Sequence, residues 1–144
     1  MPSQTIIRCA KNACERSSCE HSLAAVLYKG GAVIRVACND SKTIAYRKKY
    51  FSHGEPTRHA EMNAVHGIPR DVISKCTMLV VRLSKRHGLT SAKPCHACAR
   101  ALLEAGIKAV YYSSYTGDIL KLDFNELYYG TYVKEKYDEK YYEN

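Results

Sequence analysis

The sequence predicts an α/β domain in which one sheet carries helices on its faces. Three observations lead there. Thr77–Leu83 is an apolar, β-branched run with the composition of a buried central strand. Gly30-Gly31 separates two further strand-like segments and reads as a hairpin turn. Segments with helical start and stop signals lie between the strand-like ones, so both kinds of element alternate along the chain.

Ile6, Ile7, Ala10, Ala13 and Cys14 form an apolar stripe that predicts a first helix over about Ser3 to Glu20. The hairpin strands are expected at Leu23–Tyr28 and Ala32–Ala37. A polar, irregular stretch then runs from Asn39 to Pro56, and Thr57 can cap a helix that stops near Gly67 and Pro69. The central strand follows. A second irregular stretch, Ser84–Lys93, leads to Pro94, a residue suited to the first turn of a helix. Cys95–Ala105 is rich in Ala and Leu and ends at Gly106, a C-terminal stop. Ile107–Ser113 is the next strand. Gly117-Asp118 reads as a second hairpin turn, which makes the last strand antiparallel. From about Tyr128 the chain is rich in tyrosine and charge, and reads either as a packing helix or as a partly disordered tail. With no repeat and no linker, residues 1–144 read as one domain.

No apolar run is long enough to span a membrane, and the Met1-Pro2-Ser3-Gln4-Thr5 start lacks the pattern of a secretory signal. Seven cysteines are an odd number, and two of them belong to a metal-type pattern; this points to a reducing, intracellular and cytoplasmic setting rather than a disulfide framework. The net charge of +8 favours phosphate-bearing partners such as nucleotides or nucleic acid, and serves solubility equally well.

The chemistry sits in two short motifs, His59-Ala60-Glu61 and Pro94-Cys95-His96-Ala97-Cys98. They supply one imidazole and two thiolates, which are good zinc ligands, and one carboxylate that is not needed as a ligand. A catalytic zinc takes three protein ligands and leaves a position to water, whose pKa it can lower from 15.7 to roughly 7. Cys95 and Cys98 are three residues apart at a helix start, so both sulfurs share a side, and the helix dipole favours their thiolate form. Glu61 can then move protons between water, ring nitrogen and leaving amine. A closed, structural zinc site would need a fourth ligand, for which His53, His66, His87 and His96 are candidates. The H-x-E at a helix start and the proline before the first cysteine turn the reading toward catalysis.

On these motifs the chain resembles the cytidine deaminase superfamily, which includes cytidine, deoxycytidylate and tRNA-adenosine deaminases. The resemblance covers roughly Ala13 to Ser113. It implies a three-layer cytidine deaminase-like α/β fold, with a mixed five-stranded sheet and helices on both faces. It also implies one Zn2+ per chain held by His59, Cys95 and Cys98, with Glu61 as the proton shuttle. The segment Ala32–Asn39 resembles the family's second strand, which places Asn39 in the substrate pocket and the backbone of Ala60 and Cys95 beside the reacting ring. Relatives of this size form dimers or tetramers, so a homo-oligomer is expected.

Two features point to different branches. The use of His59 as ligand is closer to the deoxycytidylate and polynucleotide deaminases, although Lys93 stands where many relatives have Glu. The antiparallel last strand resembles the free-cytidine branch, whereas the other branches insert a helix and run that strand parallel.

Arg47, Lys48, Lys49, Tyr50 and Phe51, with His53 and Arg58 nearby, interleave basic and aromatic residues; Lys85, Arg86, His87 and Lys93 form a second basic group. Such loops can grip phosphates and stack bases, or simply be solvated. Cys9, Cys14 and Cys19 are five apart and do not share a helix face, so thiols packed in the interior are the reading there rather than a second metal site with His21. Cys38 and Cys76 read as core.

The expected function is zinc-dependent hydrolytic deamination of a pyrimidine nucleoside or nucleotide: cytidine, deoxycytidine or dCMP. The alternatives are an editing deaminase acting on single-strand cytosine or tRNA adenosine, and an inactive zinc-containing binding protein. If the first basic loop holds phosphate, replacing Lys48 and Lys49 with alanine should weaken nucleotide binding more than nucleoside binding in a titration; equal loss for both would refute the assignment.

Overall fold

The central strand owes its place to Met78, Leu79, Val80 and Val81, all fully buried. Side chains alternate across a strand, so Met78 and Val80 enter one apolar cluster while Leu79 and Val81 enter a second on the opposite face. In this computed structural model the described residues are 1–16, 22–39, 59–86 and 88–133. They form α1 (Gln4–Arg16), β1 (Ser22–Lys29), β2 (Ala32–Cys38), α2 (Ala60–Val65), α3 (Arg70–Ile73), β3 (Thr77–Ser84), β4 (Gly88–Thr90), α4 (His96–Glu104), β5 (Ala109–Ser113), β6 (Ile119–Lys121) and α5 (Asn125–Tyr128).

The sheet runs in the order β2-β1-β3-β5-β6, with β4 also paired to β3. β3 and β5 are parallel, joined by a crossover through α4, and every other pairing is antiparallel. One face is covered by α1, whose Ile6, Ala10 and Cys14 recur every four residues and pack on Ala24, Val26, Leu79 and Val81. The other face is covered by α2 and α4, through Ala60, Met62, Ala64, Cys98, Ala99 and Leu102. The expected layered sheet with helices on both faces is therefore present.

Gly30 turns the first hairpin at φ 59°, a left-handed conformation that glycine adopts without Cβ strain. Ser3 caps α1, its Oγ accepting from the Ile6 N–H at 3.3 Å. The expected continuation of that helix to Glu20 lies outside the described residues.

The structure adds three elements, one of them the one-turn helix α5. The stretch Ser84–Lys93, expected to be irregular, contains β4, which pairs Leu89 with Leu83 and Thr90 with Arg82. Three residues are too few to show an alternating pattern. The one-turn helix α3 lies just beyond Pro69, where the preceding helix was expected to end.

Ser113, fully buried, stitches this region together. Its Oγ donates to the Thr90 carbonyl at 2.6 Å and accepts from the Arg82 N–H at 3.2 Å, and its carbonyl accepts from the Ala92 N–H at 2.8 Å. The loop leading to Cys95 is thereby tied to both β3 and β5.

Cys14 packs inside as expected, with its thiol 3.3 Å from the Ser22 carbonyl. Cys76 is buried and Cys38 half-buried; Cys19 and His21 lie outside the described residues. No helix among the described residues is long and apolar enough to cross a membrane. Burial, reinforced by the charge of Cys38, pushes the Cys14 thiol up to about 12, so at mildly alkaline pH it stays protonated and shielded. Iodoacetamide labelling followed by peptide mapping should leave Cys14 unmodified until the protein is denatured; native-state labelling at the denatured rate would refute this packing.

Candidate metal centre

His59 and Cys95 both occupy N-cap positions, His59 ahead of α2 and Cys95 ahead of α4. A cap residue leaves helical backbone angles, and both are extended here, with ψ of 145° and 164°. Thr57, the expected cap of the first of these helices, lies outside the described residues. His59 makes no side-chain cap bond, so its imidazole is directed elsewhere. Its Nδ1 stands 3.1 Å from Cys98 Sγ and 3.8 Å from Cys95 Sγ. The Cys95 sulfur accepts from the Cys98 N–H at 3.5 Å, which folds it back over the first turn of α4.

The three donor atoms all lie within 4.8 Å of one another. Ligands at about 2.0–2.3 Å from a tetrahedral zinc stand roughly 3.3–3.8 Å apart, so the set fits a zinc ion with little adjustment. The protonation pattern fits as well. The hydrogen bond from Cys98 holds the Cys95 thiol down to about 4, against the opposing effect of burial, and the bond to His59 adds to the lowering. Cys98 is pushed well up by the same contact with Cys95 and by burial. Cys95 is thus the sulfur that the site favours as thiolate, the form in which cysteine binds a metal.

Glu61 is 4% exposed and lies outside the donor triplet. Burial raises its carboxyl pKa, the Cys95 charge raises it further, and His59 opposes both. Among the described residues no fourth protein ligand joins the triplet. His66 ends α2 and His96 packs against Tyr132 with ring centroids 6.1 Å apart. His53 and His87 are outside the described residues.

Ala60 is fully buried at the start of α2. Asn39 is half-buried just past β2, its Oδ1 accepting from the Leu23 N–H at 3.4 Å. Arg47, Lys48, Lys49 and Phe51, the remaining expected substrate contacts, lie outside the described residues.

The structure also brings in a group that sequence reasoning missed. Tyr132, in the tyrosine-rich tail, donates its hydroxyl proton to the Pro94 carbonyl at 2.5 Å. Lys93 Nζ sits 4.6 Å from the centroid of that ring and 3.5 Å from Glu126 Oε2. Burial and then the Cys95 charge raise the Tyr132 pKa, so the phenol remains a donor. Its sequence signal was weak, because these contacts join residues more than thirty positions apart.

The family model of the cytidine and deoxycytidylate deaminase zinc-binding region matches residues 2–114. Among solved structures, the fold is similar to the cytidine deaminase from Burkholderia pseudomallei, with a TM-score of 0.60 and 21% identity over 88% of this chain and 96% of that one. Two structures of the dCMP deaminase from the cyanophage S-TIM5 also align. The apo form has a TM-score of 0.45 and 17% identity, over 78% of this chain and 86% of that one. The complex with dCMP and dUMP has 0.47 and 16%, over 96% and 100%. Comparison with curated protein sequences gives no match.

Tyr132→Phe removes the bond to the Pro94 carbonyl and should lower stability by about 1 kcal/mol. Urea denaturation of the zinc-loaded protein measures this; an unchanged midpoint would show that the hydroxyl does not hold the tail to the metal loop.

Proposed function

The chain belongs to the cytidine and deoxycytidylate deaminase zinc-binding family, and from that premise we propose that it hydrolyses the exocyclic amine of a cytosine nucleoside or nucleotide, giving the uracil form and ammonia. One observation supports this above the others: His59, Cys95 and Cys98 converge without a fourth described ligand, and the carboxyl of Glu61 is buried beside them. Bound there, one zinc ion per chain supplies a Lewis acid that makes water a nucleophile near neutral pH.

The chain's own residues supply the rest. In the reaction a C–O bond forms at C4, and the C4–N bond to the amine breaks. Glu61 takes a proton from the attacking water, protonates N3 of the ring, and later delivers a proton to the departing amine. Its burial suits the task, since a raised pKa brings a carboxyl closer to the working pH of a shuttle. Ala60 begins α2, where a backbone N–H has no intrahelical acceptor and can meet the base. Asn39 has its Oδ1 engaged by Leu23, which leaves its amide nitrogen to the substrate. Arg47, Lys48, Lys49 and Phe51 complete the proposed contacts from the segment between Asn39 and His59.

Within this class a free nucleoside is favoured by the direction of β6. Ser113 pairs with Ile119 across a turn through Gly117, so the strand returns antiparallel with no helix inserted. That is the arrangement in which the chain resembles the free-cytidine branch.

Ammonia release should be measured with cytidine, deoxycytidine, dCMP, cytosine, adenosine and short RNA and DNA strands. Cytidine or deoxycytidine is expected to turn over fastest. Glu61→Ala should keep zinc and lose activity by at least roughly a hundredfold. Zinc-loaded protein that is inert on every substrate, or full turnover by Glu61→Ala, would overturn the proposal.

A further inference from the structure

We infer that Asn63 is a positioning residue of this site, fastening the end of β2, and with it Asn39, to the helix that carries His59 and Glu61. The inference rests on the functional reading above for its consequence, but not for its geometry.

Asn63 combines a bond within its own helix with two that reach β2. Its backbone N–H donates to the carbonyl of His59 at 3.1 Å. Its side-chain Nδ2 donates to the carbonyl of Cys38 at 2.6 Å. Cys38 immediately precedes Asn39, whose Oδ1 accepts from the Leu23 N–H at 3.4 Å. The Asn63 carbonyl in turn accepts from Arg35 Nη1 of β2 at 3.3 Å. One residue therefore joins a metal ligand on one side to the proposed substrate contact on the other.

Two features give this link weight. Among the described residues β2 is an edge strand, held by β1 along one side only, with Val33, Ile34 and Val36 all more than a third exposed. Its last residue, Cys38, is paired with Ala24 and touches the Ala13 carbonyl through its thiol at 3.7 Å, and Asn63 adds the bond to α2. α2 is only six residues long, and asparagine is a poor helix former, so helix formation does not account for Asn63 at its fourth position. Glu61 and Asn63 are two residues apart on this helix and so point to different sides, one toward the donor triplet and one toward β2. The Asn63 amide thus helps to set the spacing between proton shuttle and substrate contact, beside the bonds from Arg35 of β2 to the Asn63 and His66 carbonyls.

The test uses Asn63→Ala and Asn63→Asp in the zinc-loaded protein, the second keeping the shape of the side chain while removing its donor. Amide hydrogen exchange by NMR should show the Leu23 N–H exchanging roughly five- to tenfold faster, the size of one net hydrogen bond, with Val80 in β3 unchanged. Zinc content should hold. KM for the preferred nucleoside should rise by a similar factor with kcat changed less than about twofold.

Unchanged exchange at Leu23 would overturn the inference. So would global loss of protection at Val80 in both variants, or loss of zinc and kcat together, since Asn63 would then serve the fold or the metal rather than the spacing. If the unaltered protein releases no ammonia from any nucleoside, the functional reading fails, and exchange at Leu23 still decides the role of Asn63.

Discussion

The structure depends on bringing the N-termini of two short helices together on one face of the sheet. The donor triplet exists only because α2 and α4 begin close together in space, with His59 and Cys95 as the capping residues. Neither helix could hold that position alone: at six and nine residues both are below the length at which an isolated helix persists in water. Their stability comes from the apolar faces that rest on β1, β3 and β5 through Leu27, Met78, Val80 and Val110. The parallel pairing of β3 with β5 then decides which end of the sheet the site occupies. A crossover from β3 through α4 starts beyond the carboxyl end of β3, where ligand sites of α/β sheets form.

A short helix also leaves carbonyls unpaired at its far end, and here both helices are completed by arginines from elsewhere in the chain. Arg35 of β2 reaches the carbonyls of Asn63 and His66 at the end of α2, the second at 2.5 Å. Arg70 of α3 reaches the carbonyl of Glu104 at the end of α4. Its guanidinium lies where a Cβ on Gly106 would make a 3.4 Å contact, and Gly106 itself is at φ 82°. The cationic group at each carboxyl end is the favourable sign for the helix dipole. Two of the basic residues behind the net charge thus serve the scaffold, and charge alone was never enough to assign a partner.

What could be read in the sequence follows from how local each signal is. β3 was legible because four consecutive buried residues need no partner to be recognised, and the first hairpin because Gly30 marks its turn. The donor triplet was legible because the residue types and the short spacings carry the chemistry even though the two motifs lie more than thirty residues apart. The direction of β6 was legible from Gly117-Asp118. Other features depend on contacts that leave no local mark. That His59 is the residue capping its helix, where Thr57 was the expected cap, shows only in the fold. Asn63 looks like a surface polar residue, but its amide is bonded to Cys38 on a strand twenty-five positions away. β4 and α3 are too short to display a period, and Tyr132 could not be separated from the other tail tyrosines by composition.

Lys93 shows how one departure from a pattern becomes intelligible only in three dimensions. A lysine directly before Pro94 places a positive charge next to the metal loop, where it would otherwise compete with a bound cation. Its ammonium is instead engaged by Glu126 and by the face of Tyr132. The same tyrosine bonds the Pro94 carbonyl, so the tail supplies both the counter-charge and the brace for the residue preceding Cys95. Of the segment that composition left undecided between packing and disorder, Tyr132 packs on the loop before Cys95, whereas Tyr128, Tyr129 and Val133 are exposed. A change at Lys93 therefore acts on the tail as well as on the loop, and the two regions form one unit despite their separation in the chain.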